Sequence, residues 1–131
     1  MTTLATTPAT APRLRLWFAA DAAVSGANAM LYLVAAGPIA DLLGGDATAY
    51  RVLGGFLAVF AAGVALYARG PLRPAAGWTV VGANAVWVVA SLDVALTGAL
   101  GLDTAGRVWA VAQALVVAEL ALMQARGLRR R

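Results

Sequence analysis

Two of the chain's six carboxylates, Asp21 and Glu119, sit inside long apolar runs, where a charge costs roughly 2.5–3.5 kcal/mol on insertion scales. Helix rise places both about 10 Å in from the same end of their runs. Two carboxyl groups held together at low dielectric share a proton, so one can donate while the other accepts. Behind Asp21 come Ser25, Asn28 and Tyr32, at spacings of four, three and four residues, which sets all of them on one helical face. Asn84, Trp87 and Ser91 share a face of a third run, and Gln113 lies in a fourth. A continuous polar stripe cannot face lipid and must line an interior or a wet cavity. The residues therefore read as a catalytic pair, Asp21 and Glu119, with Ser25, Asn28, Tyr32, Asn84, Trp87 and Gln113 holding a substrate. A packing reading stands beside this one. In it Asp21 reaches interfacial water, Glu119 bonds a neighbouring helix or Arg126, and Asn28 pairs symmetrically with Asn84.

Much other chemistry is excluded. Histidine and cysteine are absent, which removes thiol catalysis, disulfides, imidazole or thiolate metal ligation and the Ser-His-Asp triad. No phosphate loop or dinucleotide fingerprint is present, so neither a metal nor a soluble cofactor is expected. At 62% hydrophobic and 12% charged residues over 131 positions, with a mean hydropathy of +0.80, the chain exceeds what a water-soluble domain can hide. An integral membrane protein follows.

The polar residues must be positioned by membrane-crossing elements, each of about 20 residues. Four runs qualify, at about 14–36, 50–67, 74–92 and 104–124, ending at Gly37-Pro38, Arg69-Gly70-Pro71, Leu92 and Arg126-Gly127. They lack the alternating period of barrel strands, so helices are predicted. Residues 1–12, rich in Thr, Ala and Pro, read as a disordered tail ahead of a single domain at 13–131. All ten cations are arginines, and eight of them (13, 15, 69, 73, 126, 129, 130 and 131) fall on one side of the four runs. Both termini and the central loop are thus predicted to be cytoplasmic, in a multi-pass protein of the cell's inner membrane. The +4 charge reads as a topology signal and as contact with anionic lipid headgroups, with no nucleic-acid partner. Ala27-Asn28-Ala29 has the form of a signal cleavage site, but Asp21 interrupts the apolar region before it and the motif recurs in the third run.

The halves match at an offset of 56: Gly26-Ala27-Asn28-Ala29 recurs as Gly82-Ala83-Asn84-Ala85, and Arg51-Val52 as Arg107-Val108. The predicted fold is all-α, a bundle of four transmembrane helices built from two parallel-duplicated helical hairpins. Asp46 and Asp103 precede the second and fourth runs, where a carboxylate caps free N–H groups. Gly54, Ala58, Ala62 and Ala65 form a small-residue face for close helix approach. Trp17, Trp78 and Trp109 suit an interfacial belt, and Asp93 the start of a short surface helix.

The stretch from Asp21 to Asn28, Ala36-Gly37-Pro38, Ala83-Asn84-Ala85-Val86-Trp87 and Gln113 with the valines after it resemble small four-helix membrane proteins of GC-rich bacteria. That resemblance implies topology and no activity. From the residues themselves, the expected function is a membrane-embedded enzyme that isomerises, cyclises or opens the epoxide of a lipophilic small molecule. The alternatives are a proton-coupled transporter, for which a homodimer would supply the missing room, and a non-catalytic subunit binding lipid or a partner.

Overall fold

A computed structural model describes the backbone of residues 2–130 and the side chains from Pro12 onward. The chain is all-α, with five helices: α1 (Thr2–Val34), α2 (Ala36–Leu43), α3 (Ala47–Arg69), α4 (Pro74–Thr97) and α5 (Thr104–Arg129). Among the described residues the only β pairing is an isolated bridge between Gly44 and Leu102. Three helices, α3, α4 and α5, are long and apolar enough to cross a membrane, and α1 with α2 makes a fourth if their bent pair counts as one span.

The boundaries follow from local chemistry. Asp46 accepts a hydrogen bond from Thr48 N (3.2 Å) and Asp103 from Gly106 N (2.9 Å), so both aspartates cap as expected. Pro74 opens α4 in its first turn, where its missing N–H costs nothing, and Gly98 closes it in the left-handed conformation at φ 68°. Gly37-Pro38, expected as a stop, instead lies in the first turn of α2, which leaves α1 at an angle of 94°. The same tolerance for proline in a first turn lets the chain restart a helix after the break at Ala35. Asp93 lies within α4, which continues to Thr97, so no separate surface helix forms. The tail expected at 1–12 falls mostly on residues whose side chains lie outside the description, and the backbone there continues α1 from Thr2.

α1 packs along α3, and α4 along α5. The two pairs join where α1 meets α5, while α3 and α4 hardly approach each other, which puts α1 and α4 on a diagonal. The buried face of α3 is Tyr50, Gly54, Leu57, Ala61, Val64 and Ala68. Its alternating four-three spacing has the 3.5-residue period of helices that wind around one another. The predicted Gly54–Ala65 stripe shares only Gly54 with that face. It drifted because it takes two successive steps of four, where the buried face alternates four and three. At Gly54 an added Cβ would lie 2.9–3.1 Å from Leu33, Tyr32 and the Ala29 carbonyl, so α1 seats directly on the α3 backbone.

The outer surface is apolar: Val59, Leu66, Val86, Val89 and Leu115 are all mostly exposed. The three buried polar side chains, Asp21, Asn84 and Gln124, lie inside. Polar inside and apolar outside is the distribution a hydrocarbon solvent imposes. At one end, the loops before α3 and α5 are stitched together. Asp103 N donates to Leu43 O (2.9 Å) and Gly45 N to Gly101 O (3.1 Å). Gly44, at φ 80°, takes a conformation that β-carbons resist, and a Cβ there would also strike Asp103 N at 2.5 Å. At the other end, Arg15 donates to the carbonyls of Ala68 and Gly70, satisfying the last turn of α3.

Candidate functional site

The α1 stripe turns inward as its spacing requires, with Asp21 and Tyr32 buried and Ser25 and Asn28 half-buried. It serves two separate polar centres about three turns apart.

The first surrounds Asp21, which is 1% exposed. Ser25 Oγ donates to its Oδ1 (3.2 Å), while Asn84 Nδ2 (2.7 Å) and Gln124 Nε2 (2.8 Å) both donate to Oδ2. Asn84 Nδ2 also donates to Gln124 Oε1 at 3.1 Å, closing a triangle among α1, α4 and α5. The bond from Asn84 to Asp21 crosses the diagonal. A buried carboxylate held only by neutral donors is stabilised through hydrogen bonding rather than ion pairing. Among the described residues no buried side-chain nitrogen or oxygen lacks a partner.

Glu119, expected as the second acid, does not join this cluster. It is exposed on α5, five residues and therefore about 140° around the helix from Gln124. Nor does Arg126 pair with it; that guanidinium turns to a groove shared with α1. The residue that α5 sets against Asp21 is Gln124, fully buried and missed in the sequence because it was read as the end of a span. A signal was present: Gln124 is eleven residues from Gln113, an interval that returns to nearly the same helical face. Asn84 bonds Asp21 and Gln124 in place of Asn28, so the symmetric asparagine pair does not form.

The second centre is Tyr32. Its hydroxyl oxygen accepts from Trp109 Nε1 (2.9 Å) and from Gln113 Nε2. It borders a pocket of about 180 Å³ whose walls also include Tyr50, Trp87, Ser91, Val94 and Trp109. Tyr50 packs edge-on to Tyr32 at 5.3 Å, with its own hydroxyl committed to Gly44 O. The pocket lies at the stitched end, between α3 and α4 on one side and α1 and α5 on the other. Trp109, expected in the interfacial belt, is thus a wall and a hydrogen-bond donor. Phe56 of α3 stacks on Trp87 of α4 at 6.4 Å, nearly parallel, across the interval where the two helices separate. Asn28 lies lower, between Tyr32 and Asp21, beside two further recesses, one reaching Trp87 and the other Gln113.

The hydroxyl proton of Tyr32 has two destinations. One is the Gln113 carbonyl oxygen, reached by a half turn of that amide; the other is a ligand oxygen in the pocket. With both N–H groups directed at the phenol oxygen, its proton is the part left to bond. No group of His, Cys, Asp and Glu residues able to hold a metal ion occurs among the described residues. Comparison with known protein families, curated proteins and solved structures finds no match to this chain.

Proposed function

We propose that this chain is a four-span protein of the cytoplasmic membrane, its termini inside, that takes a lipophilic, oxygen-bearing small molecule from the bilayer and holds it against Tyr32. The observation that carries this reading is the mostly aromatic and apolar pocket bordered by the Tyr32 hydroxyl, itself held by Trp109 and Gln113, and placed where α3 and α4 part. Such a site, mostly apolar with one or two convergent polar groups, is how proteins bind hydrophobic ligands with a fixed orientation. The pairing of α1 with α3 and of α4 with α5 supports an origin in two duplicated hairpins, each with an aspartate-capped second helix. The reading replaces the Asp21–Glu119 acid pair as the centre of activity.

The same geometry favours one chemistry should the ligand be transformed. Tyr32 would donate its proton to an epoxide or carbonyl oxygen, with Trp109 and Gln113 stabilising the phenolate left behind. Trp87 and Trp109 would shield a cationic intermediate.

The test is native mass spectrometry of the detergent-purified protein beside Tyr32→Phe. The wild type should carry a discrete lipophilic adduct. Loss of one hydrogen bond of about 1–1.5 kcal/mol should lower its occupancy roughly tenfold in the variant. An adduct equally abundant on both proteins, or absent from the wild type, would defeat the proposal. If the ligand is turned over, Tyr32→Phe should lower the rate by orders of magnitude more than it lowers binding.

A further inference from the structure

At the end opposite the pocket, a groove of about 170 Å³ separates the start of the membrane part of α1 from the end of α5. Arg13 and Trp17 enter it from α1, four residues apart and so on one face; Met123, Arg126 and Arg130 enter from α5, again on one face. The helices come close there because Gly127 has no side chain: a Cβ would lie 2.6 Å from Leu14. Three guanidinium groups therefore converge from two helices, and no carboxylate lines the groove.

The arginines of this end divide by role. Arg15, two residues from Arg13, points the other way and is committed to the α3 carbonyls. Arg13, Arg126 and Arg130 make no hydrogen bond or ion pair with any described side chain. Like charges four apart on a helix repel, and favourable interaction with the α5 C-terminal dipole accounts for Arg126 and Arg130 but not for Arg13. An anion in the groove would neutralise all three. Guanidinium forks match phosphate oxygens bidentately, and Trp17 and Met123 offer apolar surface beside them. Basic pockets between helices at a membrane boundary suit lipid headgroups.

We infer that this groove binds the phosphate of an anionic phospholipid, with the acyl chains continuing along the apolar side of α1 and α5. The test uses detergent-purified protein titrated with phosphatidylglycerol or phosphatidylcholine and read by native mass spectrometry. Wild type should prefer phosphatidylglycerol at least tenfold. The triple variant Arg13→Gln, Arg126→Gln, Arg130→Gln should lose that preference, and Arg126→Gln alone should lose part of it. A charge-matched control, Arg51→Gln, Arg69→Gln, Arg73→Gln, should keep it. Equal loss in the control would reduce the effect to net charge and overturn the inference. Displacement of the lipid by millimolar inorganic phosphate, with a phosphate adduct in its place, would overturn the lipid assignment in favour of a soluble phosphate. All of the proteins should unfold at similar denaturant concentration, because the substituted side chains are exposed.

Discussion

Replacing Asp21 separates the work of its charge from the work of its hydrogen bonds. In Asp21→Asn the side-chain carbonyl can stand where Oδ2 stands and still accept from Asn84 and Gln124, while the new amide donates to Ser25 Oγ. Every bond of the triangle survives and only the charge disappears, so stability should be unchanged or raised, since a buried charge has been removed. Asp21→Ala leaves the Gln124 amide, and half of the Asn84 amide, without an acceptor. Two interhelical bonds at the roughly 0.6 kcal/mol typical within membranes set a floor near 1 kcal/mol. Two stranded buried donors at about 1–3 kcal/mol each set a ceiling near 6 kcal/mol. The assay is equilibrium unfolding in mixed detergent micelles titrated with dodecyl sulfate, followed by helical circular dichroism. A cycle with Gln124→Ala should show coupling, because Gln124 and Asn84 share one oxygen. If Asp21→Asn costs as much as Asp21→Ala, the charge itself is required and the triangle is not what holds these helices. If Asp21→Ala costs under about 1 kcal/mol, the cluster is not a structural lock at all.

Glu119→Gln should leave both the unfolding midpoint and the adduct intact, because the carboxyl is exposed and remote from either polar centre; loss of the adduct would restore the paired-carboxylate mechanism. Gly106→Ala should destabilise by about 1–3 kcal/mol or more, since its Cβ would lie 2.1 Å from the Leu43 carbonyl. Gly55→Ala, with nothing within 4 Å, should change little in the same unfolding titration.

The parts of this molecule that depend on period and on end signals were legible in the sequence. The aspartate caps, Pro74 at the start of α4 and the inward stripe from Asp21 to Tyr32 follow from local chemistry that no tertiary contact overrides. What escaped depends on how helices are rotated against one another. Glu119 and Gln124 are both polar residues near one end of α5, and the sequence does not say which faces α1. That is decided by close backbone approaches such as Gly127 against Leu14. Trp109 was ambiguous for the same reason, since an indole near a helix end suits a lipid boundary or a pocket wall equally well. The break at Ala35 is not legible in the sequence because proline after glycine is compatible both with stopping a helix and with starting one.

The interval between α3 and α4 behaves as a buttonhole. It is sewn at one end by the short chain through Gly70 to Arg73, where Tyr67 bonds Arg73 O, and at the other by the bridge joining the two loops. The two helices are thus joined at both ends and make little contact with each other between them. On the proposed function, a molecule that enters there would pass the stacked rings of Phe56 and Trp87. Long chains could slip in by an edge or a terminus, whereas a bulky polar head could not follow. Selection by shape would thus precede any recognition at Tyr32.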